Sequence, residues 1–446
     1  MKRNNTIAVP LSIIRLEVER LFGRYSYVLP ASELNQNLIY SPFILYGDNG
    51  SGKTTLLKLL FHLLSPKPKQ GHRRFIAQTP FARFSVFLAD GKRLLVKRED
   101  GKLLGAFKLQ LFQGTEAIAE ETVETDNQKL KSLGDFYQKL SELQLNVFFI
   151  GDNRIIESDL FDEAESENEF LPENANLIFQ RLLQTPHTDR DNTLKRTLQR
   201  FEEWVRQQVI SGTHLGAASV NSIYEEIAAQ IISADIEDSV DSTEKLIDEL
   251  KQLETRSHAF SQLGLIEALD IQKLINTLQN SGPTQSMTWK VLKPYVDSVA
   301  ARLDALENIK ALFNLFVKQL NQFFADKTIH LQVQDGLKIT TSDSAQTLSP
   351  QMLSSGEKQL LLLFCNTLIA RDKATIFIID EPEISLNIKW QRQLIRTLLN
   401  LTQDSQVQFL LATHSIELLS QYRSHVVKLS NVTEGENNGR GYQTPA

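Results

Sequence analysis

The segment GDNGSGKTT, Gly47 to Thr55, concentrates the residue types that hold a phosphate. It satisfies the pattern G-x-x-x-x-G-K-[ST] and lies between an apolar run, FILY, and a helical one, TTLLKLLFHLL. Gly47, Gly50 and Gly52 let the backbone curl, so that successive N–H groups, those of Asn49 and Ser51 among them, turn inward onto phosphate oxygens. The helix that follows adds its dipole. Lys53 is placed to neutralise β- and γ-phosphates, Thr54 to set a hydroxyl on Mg²⁺, and Thr55 to complete the cradle. The chemistry implied is ATP bound with Mg²⁺.

A second cluster lies far down the chain. TIFIIDEPE, Thr375 to Glu383, is an apolar strand closed by paired carboxylates. Asp380 is expected to bind Mg²⁺ directly or through its water shell, and Glu381 to accept the proton of an attacking water. Alone, such an ending reads more readily as a strand-to-loop cap; downstream of a phosphate loop it reads as metal ligand and base. LSSGEKQ, Leu353 to Gln359, offers Ser354 and Gly356 at the start of a helical run. A serine hydroxyl and a glycine N–H at a helix N-terminus make either a second phosphate clamp or, with a glutamate three residues on, a capping box. LLATHS sets His414 after one more apolar strand, where a lone histidine is ordinarily structural.

The elements that must position these residues are legible in outline. Residues 7 to 46 contain β-rich runs, and from Arg73 to Val123 alternating runs broken at Asp90-Gly91 and Asp100-Gly101 predict an antiparallel β-lobe. NVFFI, 146 to 150, predicts a buried strand. Glu157 to Glu173 is crowded with Asp and Glu and marks a boundary. Helical runs follow, TLKRTLQRFEEWVRQQV, EKLIDELKQLETR and VDSVAARLDALENIKALFNLFVKQLNQFF, too short and irregular for a long coiled coil. Strands return in TIHLQV and GLKITT. The expected organisation is an α/β nucleotide-binding domain in two halves, 1–155 with the β-lobe and 326–432, interrupted by a helical insertion over 156–325 and followed by a loose tail, 433–446.

Composition narrows the class. The 446 residues are 41% hydrophobic and 23% charged, ordinary for a globular chain. A single cysteine, Cys365, excludes an internal disulfide framework and suggests a reducing compartment. The N-terminus does not read as a signal peptide. The longest apolar stretch, LLLLFCNTLIA, falls short of the roughly 20 residues that span a bilayer. A cytoplasmic protein with no membrane partner is expected. The net charge of −6 supplies no global attraction to nucleic acid.

LSSGEKQ resembles the signature motif of ABC-type ATPases, with Ser355 where the commonest form has glycine, a variant nearer the SMC and RecF branch than transporters. In that family the signature caps ATP held by a partner protomer, so the resemblance implies a homodimer, or higher homo-oligomer, closing around nucleotide. Ser385-Leu386-Asn387 stands in the position of the family's D-loop at the dimer seam, and His414 in that of the switch histidine contacting the γ-phosphate. The wording EPEISLNIKWQ after LSSGEKQLLLLF is similar to AAA_15, AAA_21 and OLD-like ATPases that accompany effector nucleases in bacterial anti-phage defence, of the two-gene PARIS or Septu type. Many such relatives carry His where this chain has Asn387. The 300 residues between Lys53 and Leu353 argue against a transporter. The 31 residues after Ser415 are too few for the nuclease domain of the OLD branch, so a nuclease-like effector is expected on a separate polypeptide. The competing reading is a DNA-clamping ATPase of the RecF or SMC-repair kind, although the chain shows neither a long coiled coil nor a C-x-x-C hook.

Weaker signals stay open. Asp152, Asn153 and Arg154 either replace the family's Q-loop glutamine or cap a turn. One of Phe22, Tyr25 and Tyr27 could stack on adenine, though core packing is the ordinary role of each. His72-Arg73-Arg74 could meet nucleic acid, a solvated turn being the simpler expectation.

Overall fold

The computed structural model describes residues 11–30, 42–67, 71–124, 134–151, 156–158, 186–217, 240–280, 285–343, 346–384 and 386–431. Alternation of buried and exposed side chains near the N-terminus builds strands β1 (Ile13–Leu21) and β2 (Tyr25–Leu29). After β3 (Phe43–Tyr46) come β4 (Arg83–Leu88) and β5 (Lys92–Lys97), which each bury three successive residues, β6 (Phe107–Gln113), where the alternation returns, and the largely exposed β7 (Glu116–Val123). All but β3 form one antiparallel sheet in the order β2-β1-β4-β5-β6-β7, so the β-lobe expected over 73–123 is present and is extended by β1 and β2.

Runs without alternation make the second sheet. β3, β8 (Asn146–Ile150), β13 (Thr375–Asp380) and β14 (Val407–Ala412) are apolar almost throughout, and every residue of the last two is buried. That is the signature of parallel strands covered on both faces. With β9 (Ile156–Ser158) and β15 (Val426–Lys428), the order is β15-β3-β14-β13-β8-β9, parallel except at β9. Helix α1 (Lys53–Leu64) buries Leu56, Leu57, Leu60 and Leu64 into a core shared with both sheets. The buried amide of Gln408 on β14 joins those sheets: its Oε1 accepts from Ile13 N at 2.7 Å, and its Nε2 donates to Ile13 O at 2.9 Å.

Helix α2 (His72–Gln78) corrects the expected solvated turn. Gly71, in the left-handed region at φ 78°, starts a helix there, and His72 is 2% exposed with its Nδ1 2.7 Å from His62 Nδ1. Arg73 lies over the Tyr137 ring of α3 (Asp135–Glu142) and pairs with Glu121 at 2.8 Å. Only Arg74 of the three basic residues faces solvent.

The described residues divide into two compact units, 1–193 with 370–446, and 194–369. The second is built from α4 (Pro186–Ala217), which enters from the first, α5 (Val240–Ser261), α6 (Gln272–Asn280), α7 (Gln285–Phe323), β10 (Lys327–Gln332), β11 (Gly336–Thr341), β12 (Thr347–Leu348) and α8 (Ser355–Ile369). Phe201 and Trp204 of α4 meet Phe316 and Phe313 of α7, with ring centroids 5.0 and 6.1 Å apart. β10 to β12 form an antiparallel sheet. The first unit ends with α9 (Ile388–Leu401) and α10 (Ile416–Gln421). At 39 residues α7 is longer than the run read from Val296, because it continues through Pro294, a residue that ordinarily ends a helical pattern. Among the described residues no helix is long and apolar enough to cross a membrane.

The facing histidines give this fold an acid limit. Burial lowers the pKa of His62 to about 3, with the charges of His72 and Lys58 adding, and burial lowers that of His72 to about 4. Unfolded, both titrate near the ordinary 6.5 and bind protons that the folded chain refuses. Their contribution to stability is therefore complete above about pH 6.5 and is lost as pH falls through the folded values. Thermal melts from pH 7.5 to 5 should show a falling Tm for the unsubstituted protein and a flatter profile for the double variant His62→Phe/His72→Phe; parallel profiles would refute the assignment.

Candidate nucleotide site

Sheet order decides what can meet. β14 lies between β3 and β13, all three run parallel, and each ends in a turn on the same edge of the sheet, where crevices of open α/β sheets bind ligands. The turns start in register through main-chain bonds: Thr413 N donates to Leu45 O at 3.2 Å, and Glu381 N to Ala412 O at 2.8 Å.

The loop after β3 has the curl its glycines predict. Gly50 and Gly52 stand at φ 78° and 88°. A side chain at 52 would also bring its Cβ within 2.8 Å of Leu21 Cδ2 and 3.1 Å of Phe22 Cε2, so the close approach of the β1–β2 hairpin requires glycine there. Tyr27 braces the loop by donating its hydroxyl to Ser51 O at 2.9 Å. Burial pushes the Tyr27 pKa up to about 12, with Tyr25 adding and Arg24 opposing, so the hydroxyl is always a donor. Asn49 and Gly50 are exposed, Ser51 is buried, and Thr54 is exposed beside a half-buried Thr55.

Lys53 is 6% exposed, and its Nζ donates to Gly47 O at 2.8 Å and to Asp48 O at 3.2 Å. Burial lowers its pKa, while Glu381, Asp380, Asp48 and Glu383 draw it back up. Asp380 closes β13 at 3% exposure. Glu381 follows at φ 50°, an uncommon conformation for a residue with a side chain and one that clusters at functional sites. Its Oε1 lies 3.3 Å from His414 Nε2. Burial pushes Glu381 up to about 7, with the nearby Glu383 and Asp380 adding and Lys53 opposing.

The structure thus brings together Gly47 to Thr55, Asp380, Glu381 and His414. Asn387 caps α9, its Oδ1 accepting from Trp390 N at 2.9 Å. Ser385 and the 152–154 segment lie outside the described residues. Ser354 and Gly356 belong to the second unit, where Ser354 N donates to Glu357 Oε2 at 2.7 Å and Glu357 N to Ser354 Oγ at 3.4 Å, the reciprocal bonds of a capping box. Of the three aromatic candidates, Tyr27 is buried, Tyr25 stacks on it at 5.8 Å, and Phe22 is 42% exposed beside Gly52. Sequence reasoning passed over Glu383, which binds the turn carrying His414; the available signal was the third acid of the DEPE run.

These residues fit a magnesium nucleotide. A loop that would exclude a side chain at position 52 is closed by a buried ammonium, and buried Asp380 is one of the carboxylates that compensate it.

The model of the AAA_21 family, described as "AAA domain, putative AbiEii toxin, Type IV TA system", matches residues 43–420. A Clostridium acetobutylicum protein named "putative ABC transporter ATP-binding protein" is 20% identical over 127 residues, 28% of this chain and 44% of its own, so the match spans less than half of that relative. Solved structures similar to this chain include two Smc head domains. One, from Pyrococcus furiosus and bound to the C-terminal domain of ScpA, is 12% identical with a TM-score of 0.37, covering 94% of this chain and 96% of its own. The other, from Pyrococcus yayanosii with a coiled coil and joint, is 11% identical with a TM-score of 0.34, covering 94% and 97%.

The brace from Tyr27 is testable apart from any chemistry. Tyr27→Phe removes one buried hydrogen bond and leaves Ser51 O unpaired, so urea unfolding should show a loss of about 1 kcal/mol. ATP affinity should fall with it, because the loop loses its support.

Proposed function

This chain belongs to the AAA_21 family, and on that premise we propose that it binds and hydrolyses ATP, closes as a homodimer around the nucleotide, and uses the cycle to govern a separately encoded, nuclease-like effector. The observation that carries the reading is the meeting of Lys53, Asp380, Glu381 and His414 at one sheet edge, with Glu381 and His414 3.3 Å apart.

Lys53 exchanges its bonds to Gly47 O and Asp48 O for phosphate oxygens, while N–H groups of the glycine loop and the start of α1 receive the rest of the phosphate chain. Mg²⁺, held by Thr54 and Asp380, would neutralise charge on the β- and γ-phosphates. Glu381 takes a proton from water as the water oxygen bonds to the γ-phosphorus and the bond to the β–γ bridging oxygen breaks, releasing ADP and phosphate. A carboxyl raised to about 7 suits that role, since a base titrating near working pH combines availability with proton affinity. His414 steadies the γ-phosphate. Ser354 and Gly356 of a second copy complete the cage, giving two sites at one seam. The reading that the cycle governs an effector is supported by the toxin and toxin–antitoxin terms in the family's description.

Three variants test this. Lys53→Ala should abolish tight ATP binding in calorimetry. Glu381→Gln should bind ATP, stop turning over and accumulate as a dimer when weighed in solution; unchanged turnover would remove Glu381 as the base. Ser354→Arg should bind nucleotide but stay monomeric, and normal ATP-dependent dimerisation of that variant would sink the trans-capping role. Weighing the Glu381→Gln protein with the product of its neighbouring gene, with and without ATP, tests the effector reading; no co-complex in either state would count against it.

A further inference from the structure

The turn that presents His414 is held by a carboxylate from another segment. Glu383 Oε1 accepts from Thr413 Oγ1 at 2.5 Å, from His414 N at 2.8 Å and from Ser415 N at 2.9 Å. One oxygen thus collects three donors from three successive residues, and charge-assisted bonds of this kind are stronger than neutral ones. Helix capping does not account for them: Ser415 is already the cap of α10, its Oγ accepting from Leu418 N at 3.3 Å. The same turn is tied a second time, because Ser415 Oγ donates to Gln391 Oε1 at 2.7 Å while Gln391 Nε2 donates to Leu386 O at 2.9 Å.

The His414 side chain is 37% exposed, and among the described residues the polar contact of its imidazole is Glu381. Apart from that contact, the placement of the imidazole follows the backbone of residues 413–415. Glu383 fixes that backbone.

We propose that Glu383 is a positioning residue for ATP hydrolysis, acting through His414 by holding the 413–415 turn. The proposal rests on the ATPase reading of the site. Without the carboxylate, two main-chain N–H groups and a hydroxyl lose a shared acceptor, and the turn relaxes toward water. The loop after β3, with the bonds of Lys53 to Gly47 O and Asp48 O, is left in place, Glu383 being the last of the four carboxylates that act on Lys53.

Turnover and nucleotide affinity of the full chain provide the test. Glu383→Ala should lower kcat about 100-fold, the scale set by misplacing a catalytic group by about 1 Å. Its affinity for a fluorescent ATP analogue should stay within about 2-fold of the unsubstituted protein, as expected when only transition-state interactions are lost. Glu383→Gln keeps an acceptor oxygen of the same reach and should lose only about 5-fold, the weaker neutral bonds being its main cost. Thr413→Val, which removes one donor to Glu383 and an acceptor of Ser415 N at 2.9 Å, should fall between them; with Glu383→Gln it carries the test if Glu383→Ala does not fold. In a His414→Ala background, Glu383→Ala should lower kcat no further, because residues acting through one another are non-additive.

Multiplying losses in the double variant, or a Glu383→Gln loss as deep as that of Glu383→Ala, would overturn positioning in favour of an independent or charge-borne role. If His414→Ala turns over normally, the histidine's assignment fails and takes the proposal with it. If His414→Ala is impaired while Glu383→Ala is not, the proposal alone fails.

Discussion

A lysine ammonium removed from water must be answered by acceptors and negative charge, and the first unit is arranged around that demand at Lys53. Two loop carbonyls accept its hydrogen bonds, and the carboxylates of Glu381 and Asp380 lead the negative charges that oppose its own. Neither partner could be held alone. Asp380 is as buried as the lysine, and Glu381 has its proton affinity raised by the same burial. The proposed phosphate with its metal would bring both signs of charge into this cluster.

The rest of the unit sets the spacing on which that compensation depends. Lys53 follows β3 and the carboxylates follow β13, and β14 stands between them. Register pairs Ala412 with both Leu45 and Asp380, so the three turns start level. The antiparallel sheet supports the loop from its other side through Leu21, Phe22 and Tyr27, and Gln408 fastens that sheet to β14. A shift of β14 by one residue would break the Gln408 pair and move His414 away from Glu381 in one step.

What could be read from the sequence follows the range of the forces involved. The loop, the strand ending in Asp380 and the parallel sheet were legible because each is specified by neighbours in the chain: glycine for curl, apolar runs for strands buried on both faces. Glu383 was not legible in that way. Its partners are 30 to 32 residues away and two of the three are main-chain N–H groups, which leave no pattern of residue types. His72 was misjudged for a related reason. Beside two arginines it looked solvated, whereas His62 on α1 and the ring of Phe61 enclose it. Pro294 hid the first turns of α7, since local propensity opposes a helix that the tertiary structure maintains.

Ser354 shows that a bland reading and a sharp one need not exclude each other. Glu357 Oε2 accepts from Ser354 N, and its other oxygen pairs with Lys327 of β10 at 3.0 Å, so the carboxylate is fully engaged at 5% exposure. The capping box is thus made, and it is tied to the small antiparallel sheet. In that box the serine oxygen serves only as an acceptor, for Glu357 N at the long distance of 3.4 Å. A hydroxyl that accepts one bond still has its proton to give. The serine is exposed, and the bonds that start the helix also hold its main chain in place. On the trans-capping role proposed for Ser354, the residue that caps its own helix would be the one held still enough to meet a phosphate bound to another chain.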